Sequence, residues 1–164
     1  MSTPLTTADT RASVPTTPLL LQSYLTIQLG SQRFALAVDA IREVIDPLPL
    51  TPVPLAPATI AGLLAMDGQV VPVIRLRTLL GIAPDDATAP TNELVIVTDR
   101  EERFALMVDR VEDVQSLPLA RCEPLPATMD PAWRGMATGV FPLAQALLVV
   151  LDIAGVIASL SYTP

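Results

Sequence analysis

The sequence contains no histidine and no lysine, and it has a single cysteine, Cys122. Without histidine, the chain lacks the usual general base of enzymes and the commonest protein ligand of metal ions. One thiol can form neither an internal disulfide nor a multi-thiolate zinc site, and it suits a reducing cytoplasm. The sequence also lacks glycine-rich phosphate loops and Asp-x-Asp-x-Asp-Gly calcium loops. We therefore expect no catalytic residues, no bound metal and no cofactor.

Positive charge is also scarce, because ten arginines stand against 17 acidic residues and the formal net charge is −7. Nucleic-acid binding needs clustered positive charge, so we expect no nucleic-acid partner. An enzyme that uses two carboxylates is the remaining catalytic possibility. Its candidates, Asp39 and Asp109, occupy equivalent positions in two halves of the chain, and each is more simply interpreted as the cap of a turn.

No stretch of the sequence is predicted to insert directly into a membrane. The most apolar window, residues 141–160, has the length of a membrane span, but Pro142, Gln145 and Asp152 interrupt it. A buried strand over Leu147–Leu151, followed by a short helix over Ile153–Ala158, explains it better. Residues 1–22 lack the basic and apolar parts of a signal peptide, and their Ser, Thr and Pro content predicts a disordered tail.

The rest of the chain, residues 23–164, contains an internal repeat. The stretch Arg33–Val44 returns 70 positions later as Arg103–Val114. Over Tyr24–Val44 and Leu94–Val114, seven of 21 aligned positions are identical. Two copies are too few for a solenoid and instead predict two similar small units, each with its own core. The first repeat covers about residues 24–82 and the second about residues 94–158.

Each repeat has the pattern of five short strands and a short helix. Alternating apolar and polar residues predict a hairpin at the start of each repeat, with turns at Gly30–Gln32 and Asp99–Glu102. Strands are predicted over Ile41–Ile45 and Val111–Val114, and Asp67-Gly68 predicts a further hairpin. A short helix is predicted over Leu76–Leu80. Short strands separated by frequent turns predict an all-β fold of two small five-stranded barrels.

The repeated arginines and the prolines have structural interpretations. Arg33 and Arg103 lie at hairpin turns, where we interpret them as solvated charges that shield the ends of strands. Prolines follow the third strand of each repeat, between Pro47 and Pro57 and between Pro118 and Pro131. Proline donates no backbone hydrogen bond, so these segments are predicted to be loops and edge strands.

Residues 60–81 resemble the signature of the CheW-like chemotaxis coupling family. The stretch Ile-Ala-Gly-Leu-Leu-Ala-Met-Asp-Gly-Gln-Val-Val-Pro-Val-Ile-Arg-Leu-Arg is similar to the family's Gly-Val-x-Asn-Leu-Arg-Gly-x-Val-x-Pro-Val-x-Asp-Leu-Arg pattern. Four further stretches fit the family in order: Tyr24–Gly30, Phe34–Val44, Thr51–Pro54 and Leu106–Val114. The resemblance covers essentially everything after the tail.

This resemblance implies two SH3-like five-stranded β-barrels and a non-catalytic role in the cytoplasm. Members of the family are adaptors that connect the cytoplasmic tips of methyl-accepting chemoreceptors to the regulatory domain of the histidine kinase CheA. By position, a receptor-facing groove between the two barrels would include five residues: Ile41, Glu43, Asp67, Val111 and Val114. Apolar residues at the barrel ends would dock the kinase. For Ile41, Val111 and Val114, an ordinary place in the core is the alternative.

Two charges depart from the family pattern. Asp67 stands where the family has arginine, and Arg75 stands where it has aspartate. A reversed charge at a partner-facing loop weakens binding unless the partner is reversed too. We therefore expect a specialised coupling adaptor with its own receptor or kinase. The alternative is a CheW-like module recruited to another signalling or motility assembly without receptor contact.

Overall fold

The computed structural model describes residues 20–84, 89–144 and 146–160. Positions 1–19 of the predicted tail lie outside these residues, and at its other end the first strand already begins at Leu21. The described residues form the following strands and helices: β1 (Leu21–Leu29), β2 (Gln32–Ala37), β3 (Ile41–Ile45), β4 (Ile60–Met66), β5 (Gln69–Arg75), α1 (Leu76–Leu79), β6 (Glu93–Asp99), β7 (Glu102–Val108), β8 (Arg110–Pro118), β9 (Ala137–Pro142), β10 (Leu147–Leu151) and α2 (Ile153–Ala158).

Most of the predicted elements are confirmed, including both short helices, but both predicted hairpin turns are too long, and Gln32 of the first one already belongs to β2. Asp99 and Glu102 belong to β6 and β7, so only Arg100 and Glu101 form the turn between them. Both residues have left-handed backbones, with φ of 52° and 69°. The Asp67-Gly68 turn has nearly the same conformation, with φ of 51° and 75°. The charged pair therefore builds the kind of turn that Asp-Gly prefers.

The strands form two five-stranded sheets, with the orders β8-β1-β2-β10-β9 and β3-β6-β7-β5-β4. Hairpin β1–β2 of the first repeat thus lies in the sheet of β8, β9 and β10, which belong to the second repeat. Hairpin β6–β7 lies in the sheet of β3, β4 and β5 in the same way. The expectation that each repeat builds its own unit is therefore wrong. The chain crosses between sheets through a 3₁₀ turn at Val38–Ala40 and through Asp109.

One isolated pair of residues closes each sheet into a barrel. In the first barrel, made of β8, β1, β2, β10 and β9, the backbone N–H of Glu123 donates to the Val140 carbonyl at 2.7 Å. In the second barrel, made of β3, β6, β7, β5 and β4, Thr51 donates to the Leu63 carbonyl at 2.9 Å. The closing residues come from the proline-containing segments that follow β8 and β3.

Three apolar clusters fill the fold, rather than the two cores expected from the repeat. Two smaller clusters each draw on one barrel, and a larger one draws on both. Along β2, Phe34 and Leu36 face the shared cluster, while Ala35 between them faces the first barrel's own cluster. Each central strand is therefore buried on both faces, and the two barrels form one packed body.

Candidate functional site

Three of the five predicted groove residues line one concavity of about 510 Å³ on the second barrel: Ile41, Glu43 and Asp67. We call this concavity the β3 groove. Strand β3 forms one wall, the turn between β4 and β5 forms the other, and β6 with the start of β7 forms the floor. The remaining lining residues are Asp39, Ala40, Arg42, Met66, Ile96, Thr98 and Arg103.

The groove exists because β3 is an edge strand. It pairs with β6 only, and its register shifts between Ile41 and Glu43. The contact that closes the second barrel, Thr51 with Leu63, forms beyond the other end of β3. Near Ile41 and Met66 the barrel wall is therefore open, and unpaired backbone groups of an edge strand are accessible there.

An ion pair joins the floor of the β3 groove to the wall formed by the β4–β5 turn. Arg103 Nη1 lies 3.1 Å from Asp67 Oδ2, with Asp67 73% exposed and Arg103 20% exposed. The corresponding arginine of the first barrel, Arg33, pairs with Glu112 at 3.0 Å. Arg33 is 54% exposed and remains a solvated charge as interpreted, whereas Arg103 is largely buried, and pairs this exposed contribute only about 0–1 kcal/mol each.

The internal repeat shows how the β3 groove differs in charge from the equivalent position of the first barrel. Glu112, which pairs with Arg33 in the first barrel, corresponds to Arg42 in the second. Arg42 and Arg103 both line the groove, and they cannot form the equivalent pair because they have the same charge. Nearby, the buried hydroxyl of Thr98 has no hydrogen-bond partner among the described residues. Buried polar groups are normally hydrogen-bonded, so this hydroxyl is an exception among the groove residues.

The other two predicted groove residues lie on β8 in the first barrel. Val111 stands opposite Ile27 and packs against the shared cluster. Val114 stands opposite Leu25 and is 62% exposed. The structure therefore does not bring them into the β3 groove. Val111 and Ile41 both pack against the shared cluster, as expected if they are ordinary core residues, whereas Val114 does not.

The paired-carboxylate hypothesis receives no support from the positions of Asp39 and Asp109. Asp39 is exposed at the β3 groove, whereas Asp109 lines a separate cavity of about 210 Å³. Asp109 also does not cap a local turn. Its Oδ2 accepts the Gly30 backbone N–H at 2.8 Å, and its Oδ1 accepts Arg77 Nε at 3.1 Å. It therefore fastens the β1–β2 turn to α1, a long-range role that sequence spacing does not reveal.

Arg75, the second departure from the family pattern, has a structural role. Its Nη1 donates to the carbonyls of Ala58 and Ile60, at 2.8 Å and 3.2 Å. These bonds hold the loop that leads into β4. The charge reversal at Arg75 therefore serves the fold, and only Asp67 presents a reversed charge at the groove.

Other reactive groups are few in the described part of the chain. No group of three or more His, Cys, Asp or Glu residues is placed there to hold a metal ion. Burial raises the pKa of the Cys122 thiol, and the charge of Glu123 raises it further. The thiol therefore stays protonated at neutral pH and is a weak nucleophile. Among the described helices, none is long and apolar enough to cross a membrane.

Comparison with known proteins gives consistent matches. The model of the CheW-like domain matches residues 23–161. The "Probable chemotaxis protein CheW" of Rhizobium etli is 26% identical over 126 residues, which cover 77% of this chain and 81% of that protein. The "Chemotaxis protein CheW" of Klebsiella aerogenes is 27% identical over 139 residues, or 84% of this chain and 82% of that protein.

A solved structure shares the fold. It is the scaffolding protein TtCheW from Thermoanaerobacter tengcongensis, with a TM-score of 0.72 and 20% identity over 81% of this chain and 90% of that one. The prediction of two SH3-like five-stranded barrels is confirmed by this likeness and by the two five-stranded sheets. Because the family model matches nearly the whole described chain, the chain belongs to the CheW-like domain family.

Proposed function

We propose that this chain is a non-catalytic coupling adaptor that links chemoreceptors to the histidine kinase CheA in a bacterial chemosensory array. The family match supports the adaptor role. The single structural observation that carries the proposal is the β3 groove, because its lining combines an accessible strand edge with apolar side chains and a charged rim. Such a surface suits a protein partner better than a small substrate.

The partner proposed for the β3 groove is the cytoplasmic tip of a chemoreceptor. Ile41 and Met66 provide apolar contact, while Asp67 and Glu43 provide charge at the rim. Since Asp67 replaces the family's arginine, the complementary receptor is expected to present positive charge at this point. The chain is thus proposed to serve its own receptor or kinase.

The test compares two variants with the same change of charge. Arg42→Glu gives Arg103 an acidic neighbour, as Glu112 does for Arg33 in the first barrel, and the new pair is expected to occupy the groove. Its affinity for the cognate receptor tip, measured by calorimetry, should fall at least tenfold with little change in melting temperature. Arg121→Glu, at an exposed position away from the groove, is the control and should bind normally. Normal binding by Arg42→Glu would contradict the assignment of the groove.

A second experiment tests partner specialisation. Asp67→Arg restores the charge that the family has at this position, so it should weaken binding to the cognate receptor and strengthen binding to a conventional one. Wild-type affinity for a conventional receptor and kinase, unchanged by Asp67→Arg, would rule out specialisation. Kinase binding without any receptor binding would favour the alternative, a CheW-like module in another signalling or motility assembly.

A further inference from the structure

A cavity of about 210 Å³ beside α1 lies outside the surface assigned to the proposed function. Two arginines line it, Arg75 at the end of β5 and Arg77 in α1. The other lining residues are Thr78, Pro90, Asn92, Met107 and Asp109. None of them lines the β3 groove, which is bordered by the turn at the other end of β5. The cavity and the groove are therefore separate.

Arg75 carries a positive charge that no described carboxylate neutralises. Its Nη1 donates to the backbone carbonyls of Ala58 and Ile60, and none of the ion pairs among the described residues includes it. The guanidinium group has further donors on Nε and Nη2, which make no hydrogen bond to a described residue. Part of Arg75 thus holds the loop before β4, and the rest is available to a ligand.

The acidic residue of the cavity is already engaged. Asp109 accepts Arg77 Nε on Oδ1 at 3.1 Å, and it accepts the Gly30 backbone N–H on Oδ2 at 2.8 Å. Its charge offsets that of Arg77, and two arginines against one aspartate leave the lining with an excess of positive charge. Like charges held close together repel each other, so the cavity is complementary to an anion.

The internal repeat shows that the barrel fold does not require this positive charge. Strands β5 and β10 each run parallel to the second strand of a hairpin, and each is followed directly by a helix. Alignment of these units puts Asp152 and Ala154 at the positions of Arg75 and Arg77. The second barrel thus has two positive charges where the first barrel has one negative charge.

Phosphate is the anion that suits these groups best. Guanidinium groups bind phosphate oxygens through paired, charge-assisted hydrogen bonds, and the side chains of Thr78 and Asn92 add neutral donors. At about 210 Å³ the cavity is smaller than the roughly 300–1,000 Å³ of pockets for drug-sized ligands. It therefore fits one phosphate group on a small molecule.

We propose that this cavity binds the phosphate group of a small phosphorylated molecule, with Arg75 and Arg77 as the charged ligands. The site does not depend on the proposed function, because it shares no residue with the β3 groove. The second barrel then holds a small-molecule site at one end of β5 and a protein-binding groove at the other.

Calorimetric titration of the full chain with inorganic phosphate tests the site, at an ionic strength kept constant with chloride. Saturable binding of one phosphate per chain is expected. Thr78→Glu places a carboxylate at an exposed position of the cavity and keeps both arginines, so it should lower phosphate affinity at least tenfold with little change in melting temperature in chloride. Thr128→Glu is the control, since it makes the same charge change at an exposed position outside the lining, and it should bind phosphate normally.

Each other outcome overturns the proposal. Absence of saturable binding, or normal binding by Thr78→Glu, would show that the arginines do not hold phosphate. Succinate that binds as tightly as phosphate would make the ligand a carboxylate. Phosphatidic acid vesicles that bind more tightly than glycerol phosphate would place the ligand on a membrane surface. Phosphate binding that emerges only after Asp85→Asn and Asp86→Asn would make this acidic segment of the chain itself the occupant.

Discussion

Two glycines, Gly62 and Gly139, allow the barrels to close. They precede Leu63 and Val140, the residues that pair with the closing segments. A Cβ on Gly139 would lie 2.7 Å from both the Cys122 sulfur and the Glu123 carbonyl oxygen, and a Cβ on Gly62 would lie 2.8 Å from the Thr51 carbonyl oxygen. The two barrels therefore use the same device at the same place, although the sequence repeat is weak there.

The residue-scale prediction is that Gly139→Ala destabilises the fold. The added methyl group meets backbone, which cannot move aside without breaking the Glu123–Val140 pair, so the free energy of unfolding should fall by about 1–3 kcal/mol. Chemical denaturation measures this difference. Gly135→Ala is the control, because a Cβ there meets nothing within 4 Å, and its stability should be near wild type. Equal stabilities for the two variants would show that closure tolerates the methyl group.

At the scale of elements, the two-residue turns show when the residue pattern is enough to predict a turn and when it is not. Asp67-Gly68 is correctly predicted because glycine adopts a positive φ readily. Arg100-Glu101 has the same backbone conformation without that signal, so the sequence predicted a longer polar loop. The antiparallel register of β6 and β7, which pairs Asp99 with Glu102, imposes the conformation on residues that do not favour it.

The element-scale prediction follows from this mismatch. Glu101→Gly should stabilise the chain by about 0.5–1 kcal/mol, because relief of left-handed strain at φ of 69° exceeds the entropy that glycine loses on folding. Urea denaturation should show a higher midpoint with an unchanged slope. Glu102→Gly, one residue later in β7, should lower the midpoint, because it introduces glycine into a strand. A lower midpoint for Glu101→Gly would mean that the turn is unstrained.

At the scale of the whole molecule, the exchange of hairpins was beyond what the sequence could predict. Hydrophobic alternation identifies which face of a strand is buried, but it does not identify the strand beside it. The repeat correctly predicts five strands in each half and says nothing about which half supplies a neighbour. The same limit applies to the prediction of the groove residues. Ile41 and Asp67 line one concavity, whereas Val111 lies on the corresponding strand of the other barrel.

Side-chain contacts between the barrels reinforce the exchange. The indole N–H of Trp133 donates to the Leu80 carbonyl at 2.8 Å, and the ring of Trp133 meets that of Phe34 at 5.4 Å in a T-shaped contact. Asp109 joins the Gly30 turn to Arg77. These contacts link residues far apart in the sequence, so neither barrel reaches its final packing without both repeats.

This topology predicts that the repeats cannot fold separately. A fragment of residues 20–84 contains β1 to β5, but the first barrel would lack three strands, and β3 would lose the β6–β7 hairpin that joins it to β5. In a fragment of residues 89–160, the first barrel would lack β1 and β2, and the second barrel would lack β3, β4 and β5. Each fragment alone should give an unfolded circular dichroism spectrum, and an equimolar mixture should recover the spectrum and cooperative melting of residues 20–160, because association restores both sheets. A single fragment with its own cooperative transition would show that a repeat can refold into a closed barrel without its partner.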